Sequence, residues 1–139
     1  MAMKYLLDTN ILSEPVRKSP NPTVVAHIQA AGDTLAIAAT TWHELLFGVL
    51  RMPVSRRRTA LEQYLFNTVQ TEIPILSYDA KSAAWFARER ARLSRSGHTP
   101  SYPDGHVAAV AAANELVLVT RNVADFAYFS DLKVENWFE

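Results

Sequence analysis

The chain has 139 residues, of which 49% are apolar and 20% charged. That suits one compact domain over 1–139 and excludes a disordered or fibrous chain. Fourteen basic and fourteen acidic side chains cancel. With no cysteine and only four scattered histidines, a disulfide framework, thiolate zinc or iron–sulfur sites and a cysteine nucleophile are all excluded.

The opening Met1-Ala2-Met3-Lys4 leads straight into a strand-like run without an apolar stretch of signal-peptide length. The longest lightly charged segment, Val107 to Val119, is broken by Asn114 and Glu115 and is too short to cross a bilayer. The expectation is a cytoplasmic protein with no membrane contact.

Lys4 to Asp8 is a short apolar run that stops at an acid, which predicts a buried strand. Thr9 to Ser13 opens a short helix that Pro15 and the Pro20/Pro22 pair bring to an end. Thr23 to Ala31 predicts a helix closed by Gly32, and Thr34 to Ala38 a second strand. Thr40 or Thr41 is the expected cap of a helix reaching Leu50. Its apolar stripe is Trp42, Leu45, Leu46, Val49 and Leu50.

A further helix is expected from Ser55 to Val69, then a strand from Ile73 to Ser77. Asp79 caps a long helix to Ser96, stopped by Gly97. Pro103 and Asp104 open a helix that is apolar almost all round from Val107 to Ala113, hence buried. Leu116 to Thr120 is a strand, followed by a loop with Asn122 and Asp125 and a short strand near Lys133 to Glu135. Alternating strands and helices, with strands apolar throughout, predict an α/β domain. It has a mostly parallel twisted sheet of four to five strands with helices on both faces.

Charge is segregated along this order. Residues 51–95 carry nine basic side chains, eight of them arginine, against four acids, so the segment is +5 and the remainder −5. Arginine-rich faces suit forked contacts to phosphate, and Arg56–Arg58 with the arginines from Arg88 to Arg95 are equally what solvated helix faces look like.

Where the architecture places the acids points to function. In an open parallel sheet the ligand crevice lies beyond the carboxyl ends of the strands, where the N-termini of the returning helices also gather. Asp8 ends the first strand, Glu44 and Asp104 lie near the starts of two helices, and Thr120, Asn122 and Asp125 lie at and after the end of the Leu116–Thr120 strand. Each has an ordinary structural explanation alone: a turn, a helix-terminal charge, a solvated face. Gathered at one rim they repel, by roughly 4 kcal/mol for a pair ~4 Å apart at an effective dielectric of 20. Such a cluster calls for a hard divalent cation with oxygen ligands, Mg²⁺ or Mn²⁺. Thr9 and Asn10 offer neutral oxygens around Asp8. Gly48, one turn after Glu44, leaves room for a ligand or a neighbouring backbone.

Leu6-Leu7-Asp8-Thr9-Asn10-Ile11-Leu12-Ser13-Glu14 resembles the opening of a PIN domain. Trp42-His43-Glu44-Leu45-Leu46-Phe47-Gly48 is similar to that family's second acidic motif, and Pro103-Asp104 with Val107-Ala108-Ala109 to its third. Val119-Thr120-Arg121-Asn122 through Asp125-Phe126 resembles the fourth. Within the family the chain looks most like the VapC-type toxins of bacterial toxin–antitoxin pairs. The resemblance implies a Mg²⁺-dependent endoribonuclease (Mn²⁺ being an alternative ion), usually a homodimer, silenced by a small VapB-like antitoxin that inserts into the active-site groove. It implies metal-holding roles for Asp8, Glu44 and Asp104, with Thr9, Asn10 and Thr120 in support and transfer RNA as an RNA substrate by analogy. The fourth position departs from the pattern: Asn122 stands where many members have an acid, so Asn122 could hold a water or Asp125 could serve from one turn later.

Three other readings compete. A degenerate PIN domain would bind RNA or a protein without cleaving. A haloacid-dehalogenase-like phosphatase would need an acid two residues after Asp8, where Asn10 stands; a receiver domain would need a lysine after the late strand, where Arg121 follows Thr120. His106, two residues after Asp104 on a helix, is expected to point away from the rim as a structural or solvent-facing side chain. Phe47, Tyr64, Phe66 and Trp85 are more aromatic surface than one small core needs, which agrees with a dimer.

Overall fold

Five short strands alternate with helices in the computed structural model, which describes residues 2–139. The strands are β1 (Tyr5–Leu7), β2 (Leu35–Ala38), β3 (Ile75–Leu76), β4 (Val117–Val119) and β5 (Val134–Glu135). They form one sheet in the order β3-β2-β1-β4-β5, with every neighbouring pair parallel. Leu6 stands beside Ala36 on one side and Leu118 on the other, so β1 is central. The main helices are α1 (Thr9–Leu12), α2 (Pro22–Ala31), α3 (Ala39–Leu50), α4 (Arg56–Gln63), α5 (Gln70–Glu72), α6 (Ala80–Arg95) and α7 (Tyr102–Ala113).

Strand alternation divides the core into two layers. Leu6, Ala36, Ala38 and Leu118 face Phe86 and Leu93 of α6 and the Val107–Ala111 run of α7. Leu7, Leu35, Ile37 and Val119 face Ile11, Val24, Val49, Leu65 and Val69. Helices therefore cover both faces, as expected for strands that are apolar throughout.

Capping follows local chemistry. Asn21 Oδ1 accepts from the backbone N–H of Thr23 and Val24, Ser55 Oγ from Arg58, Asp79 Oδ1 from Ser82 and Ser101 Oγ from Asp104, at 2.9 to 3.2 Å. Gly97 leaves α6 with φ +81°, a conformation that favours glycine.

The structure corrects several expectations. No threonine caps α3. The helix starts at Ala39, directly from the last residue of β2, and Thr41 is fully buried inside it. Leu50 leaves the apolar stripe and is 48% exposed. The helix expected to end at Val69 runs through a π-helical segment, Tyr64–Val69, and on into α5. β3 is only Ile75–Leu76, because Ile73 and Pro74 still belong to the turn out of α5. Tyr64 and Trp85 are not surface aromatics: both pack against the core, Tyr64 donating from its hydroxyl to the Leu12 carbonyl at 2.7 Å. Burial pushes the Tyr64 phenol up to about 12.

Part of the basic segment is structural. Glu89, nearly fully buried, accepts from Arg92 Nε at 2.8 Å, from Arg92 Nη2 at 2.9 Å and from the Ser130 backbone N–H at 2.6 Å. The Arg92 guanidinium holds this carboxyl down at about 2. Arg58 pairs with Glu62 at 2.6 Å, whereas Arg56, Arg57, Arg88, Arg90 and Arg95 are exposed. Among the described residues no helix is long and apolar enough to cross a membrane.

Candidate active site

Asp8 is the hinge between β1 and α1. Its backbone N–H still belongs to the sheet, donating to the Val119 carbonyl at 2.9 Å, while its side chain caps the helix. Oδ1 accepts from Thr9 N–H at 2.9 Å; Oδ2 accepts from Thr120 Oγ1 at 2.8 Å and Asn10 Nδ2 at 3.4 Å. Thr120, fully buried just after β4, is the hub of this arrangement. Its hydroxyl donates to Asp8 and accepts from the Asn122 backbone N–H at 3.1 Å. Asn10 closes the set by accepting from Arg121 N–H at 3.0 Å. These bonds leave Asp8 with little rotational freedom and aim it past the carboxyl edge of the sheet.

Glu44 is the sixth residue of α3, one turn further along than the helix start, and its side chain reaches solvent. Burial of part of it raises its pKa, the charges of Asp8 and Asp104 raise it further, and His43 opposes them. Asp104, in the first turn of α7, is likewise raised by desolvation and by the charges of Asp125 and Asp8, against a hydrogen bond from Ser101. The four acids therefore share one rim and act on one another. None belongs to the three ion pairs found among the described residues, Arg17–Glu14, Arg58–Glu62 and Arg92–Glu89.

The rim is nevertheless open. Among the described residues no three Asp, Glu or His side chains close on one point as ligands of a single ion. A donor set of one or two carboxylates completed by waters is, however, what Mg²⁺ ordinarily takes. Asp8 and Asp104, outside every ion pair found among the described residues, fit such an ion, and their charges in turn raise the proton affinity of Glu44.

Asn122 is exposed and is held through its backbone, its N–H donating to Thr120 Oγ1 and its carbonyl accepting from Asp125 N–H at 3.0 Å. Asp125, in the 3₁₀ turn Val123–Phe126, is the member of this loop whose charge reaches Asp104. Glu14 went unremarked in the sequence except as part of a motif. It is buried, accepts from Asn21 N–H at 2.9 Å and Arg17 Nη1 at 3.2 Å, and its carboxyl is held low chiefly by that backbone bond. An acid six residues after a strand-ending Asp, with an arginine three further on, was the available signal.

Two cavities share Glu44. One, about 270 Å³, is an apolar groove lined by Val16, Leu45, Gly48, Met52, Leu61 and Tyr64. A side chain on Gly48 would meet nothing within 4 Å, so its bareness leaves the groove open rather than admitting a neighbouring backbone. The other, about 450 Å³, lies towards Asp104 between the starts of α3 and α7. His106 stacks on Tyr78 with ring centroids 3.9 Å apart and also lines this cavity, so it is structural and yet faces the site.

The PIN domain family model matches residues 5–131. The chain belongs to the PIN-domain family. Ribonuclease VapC2 of Haemophilus influenzae is 32% identical over 136 residues, which are 97% of this chain and 98% of that protein. Toxin FitB of Neisseria gonorrhoeae is 31% identical over 134 residues, 94% and 96% of the two chains. A solved structure of FitAB bound to an IR36 DNA fragment superposes with a TM-score of 0.89 at 28% identity, covering 97% of this chain and 96% of that one. This PIN domain thus lies in the VapC branch of its family, and the dehalogenase-like and receiver readings fall. In particular, Asn10 is engaged by Arg121 and Asp8 and no acid stands beside Asp8 to move a proton.

Proposed function

We propose that this PIN domain is a metal-dependent endoribonuclease, the toxin of a VapBC-like pair. The observation that carries it is Asp8, fixed by Thr9, Asn10 and Thr120, sharing a rim with unpaired Glu44 and Asp104, both of whose carboxyls are raised by burial and by the charge of Asp8. Asp8 and Asp104 would hold Mg²⁺, with Mn²⁺ an equivalent hard ion. An ion held there would supply an acidified water and offset charge building on the scissile phosphate. Glu44, its proton affinity raised, orients the attacking water and takes up its proton. Thr120 and Asn10 keep the Asp8 carboxylate in register, and Asp125 completes the acidic rim in the place that Asn122 leaves without a charge.

Exposed arginines supply phosphate contacts that give affinity without base specificity, and transfer RNA is a fitting substrate class for such a surface. The apolar groove beside Glu44 suits an inserted segment of a VapB-like antitoxin, which would shut the site. Phe47 and Leu50, exposed on α3, suit a homodimer contact.

The test is cleavage of a transfer RNA pool and of a single-stranded oligoribonucleotide by purified protein. Cleavage is expected with Mg²⁺ or Mn²⁺, lost with chelator, and reduced on the order of a hundredfold or more by Asp8→Asn. Cleavage that persists in excess chelator, or in a folded Asp8→Asn variant, would overturn the reading.

A further inference from the structure

The larger cavity beside Glu44 has a construction that phosphodiester chemistry alone does not require. It is lined by Thr40, His43, Glu44, Tyr102, Pro103 and His106. Tyr102 is 57% exposed although it is the first residue of a helix that is otherwise mostly buried. Its ring is held in place by two neighbours. The Arg90 guanidinium lies 4.9 Å from its centroid, and Phe86 meets it edge-on at 6.2 Å with an interplanar angle of 86°. Pro103 and the Ser101 cap fix its backbone. His106, on the next turn, is backed by Tyr78. Two aromatic rings with fixed backs therefore line a hollow whose wall includes a rim acid, and Asp104 is two residues from Tyr102 on the same turn.

An aromatic ring that is braced yet open is the usual platform for an unpaired base, and histidine and threonine offer hydrogen bonds to a base edge. A volume of 450 Å³ lies towards the small end of ligand sites, which suits a single base better than a segment of duplex. Arg90, over one face of that ring, belongs to none of the ion pairs found among the described residues and is placed for a phosphate flanking the stacked base.

We propose that this cavity is a nucleobase subsite, which takes one unpaired base of the RNA strand next to the scissile phosphate, stacked on Tyr102 with Arg90 on the flanking phosphate. The proposal rests on the ribonuclease reading above. It makes the enzyme selective for bases that can leave a stack, hence for loops and single strands over helices.

The experiment uses full-length protein and an oligoribonucleotide in which one abasic residue is walked through the positions around the cleavage site. At one adjoining position the missing base should lower kcat/KM roughly tenfold, the scale of a single base–aromatic stack. Tyr102→Ala should lose a similar factor on intact RNA and become indifferent to the abasic residue, whereas Tyr102→Phe should behave as wild type. As a readout independent of turnover, 2-aminopurine at that position should be quenched on binding to Asp8→Asn protein and not when Tyr102→Ala is added. Cleavage indifferent to a missing base at every position, or a Tyr102→Ala protein that still senses it, overturns the subsite and leaves the nuclease standing. Wild-type protein that neither cleaves nor binds RNA overturns both.

Discussion

Asp104 shows how the rim sets function against stability. Its pKa and that of Glu44 are raised by desolvation and by neighbouring carboxylates. The folded state therefore holds these protons more tightly than the unfolded chain does. Protonation favours folding, and stability falls as pH climbs through and above the carboxylate range. The helix dipole acts the other way, since an acid in the first turn of α7 gains ~0.3–1 kcal/mol, and the variant below measures which side prevails. Asp104→Asn should then raise the melting temperature of metal-free protein at pH 7, by about 2–5 °C if ~1 kcal/mol is recovered. The gain should vanish near pH 3, where the wild-type acid is already neutral. Added Mg²⁺ should stabilise the wild type and not the variant, since a ligand of the folded state alone raises its stability. Calorimetry at the two pH values checks this, and a melting temperature lowered at pH 7 would show that the acids do not strain the fold.

At the level of elements, the contact that aims Asp104 is the packing of α7 on α6. Gly105, next in sequence and buried, sits against Phe86 so closely that a side-chain carbon there would run into the ring. Gly105→Ala should gain ~1 kcal/mol of helix propensity yet lose more to overpacking, which costs ~1–3 kcal/mol. A lowered urea midpoint, with cleavage reduced because Asp104 shifts, is expected; an unchanged midpoint would mean that α6 and α7 part freely.

The same scale explains what was legible. Strand–helix alternation and the apolar runs around Leu6, Ile37 and Leu118 were enough for the sheet, and the parallel sheet was enough to bring Asp8, Glu44, Asp104 and Asp125 to one edge. The π-helical segment at Tyr64–Val69 leaves no mark in composition, and its first residue, Tyr64, bonds the Leu12 carbonyl far away in the chain. The absent threonine cap on α3 reflects a strand that turns into a helix without a loop. The Tyr102 cavity exists only because the starts of α3 and α7, some sixty residues apart in the chain, meet in space.

For the whole molecule, the exposed apolar surface is not scattered evenly. Phe47 and Leu50 lie on one side of α3, Val54 follows in the turn after it, and Phe66, exposed, meets Trp42 edge-on at 5.8 Å. Other exposed apolar side chains, such as Met3 and Tyr128, lie in other parts of the chain. A run of large side chains held open on a well-formed helix costs solubility unless it is covered, and a second copy of the chain covers it with the same chemistry. The wild type should therefore sediment at twice its 15.5 kDa mass. Phe47→Lys, which adds a charge at a position already open to water, should shift it to the monomer with its helical circular dichroism unchanged. Because the Phe47 side is distinct from the groove at Gly48, the same variant should still be shut off by the VapB-like segment proposed for that groove. A wild-type protein that sediments as a monomer at micromolar concentration would leave the exposed face of α3 without the partner argued here.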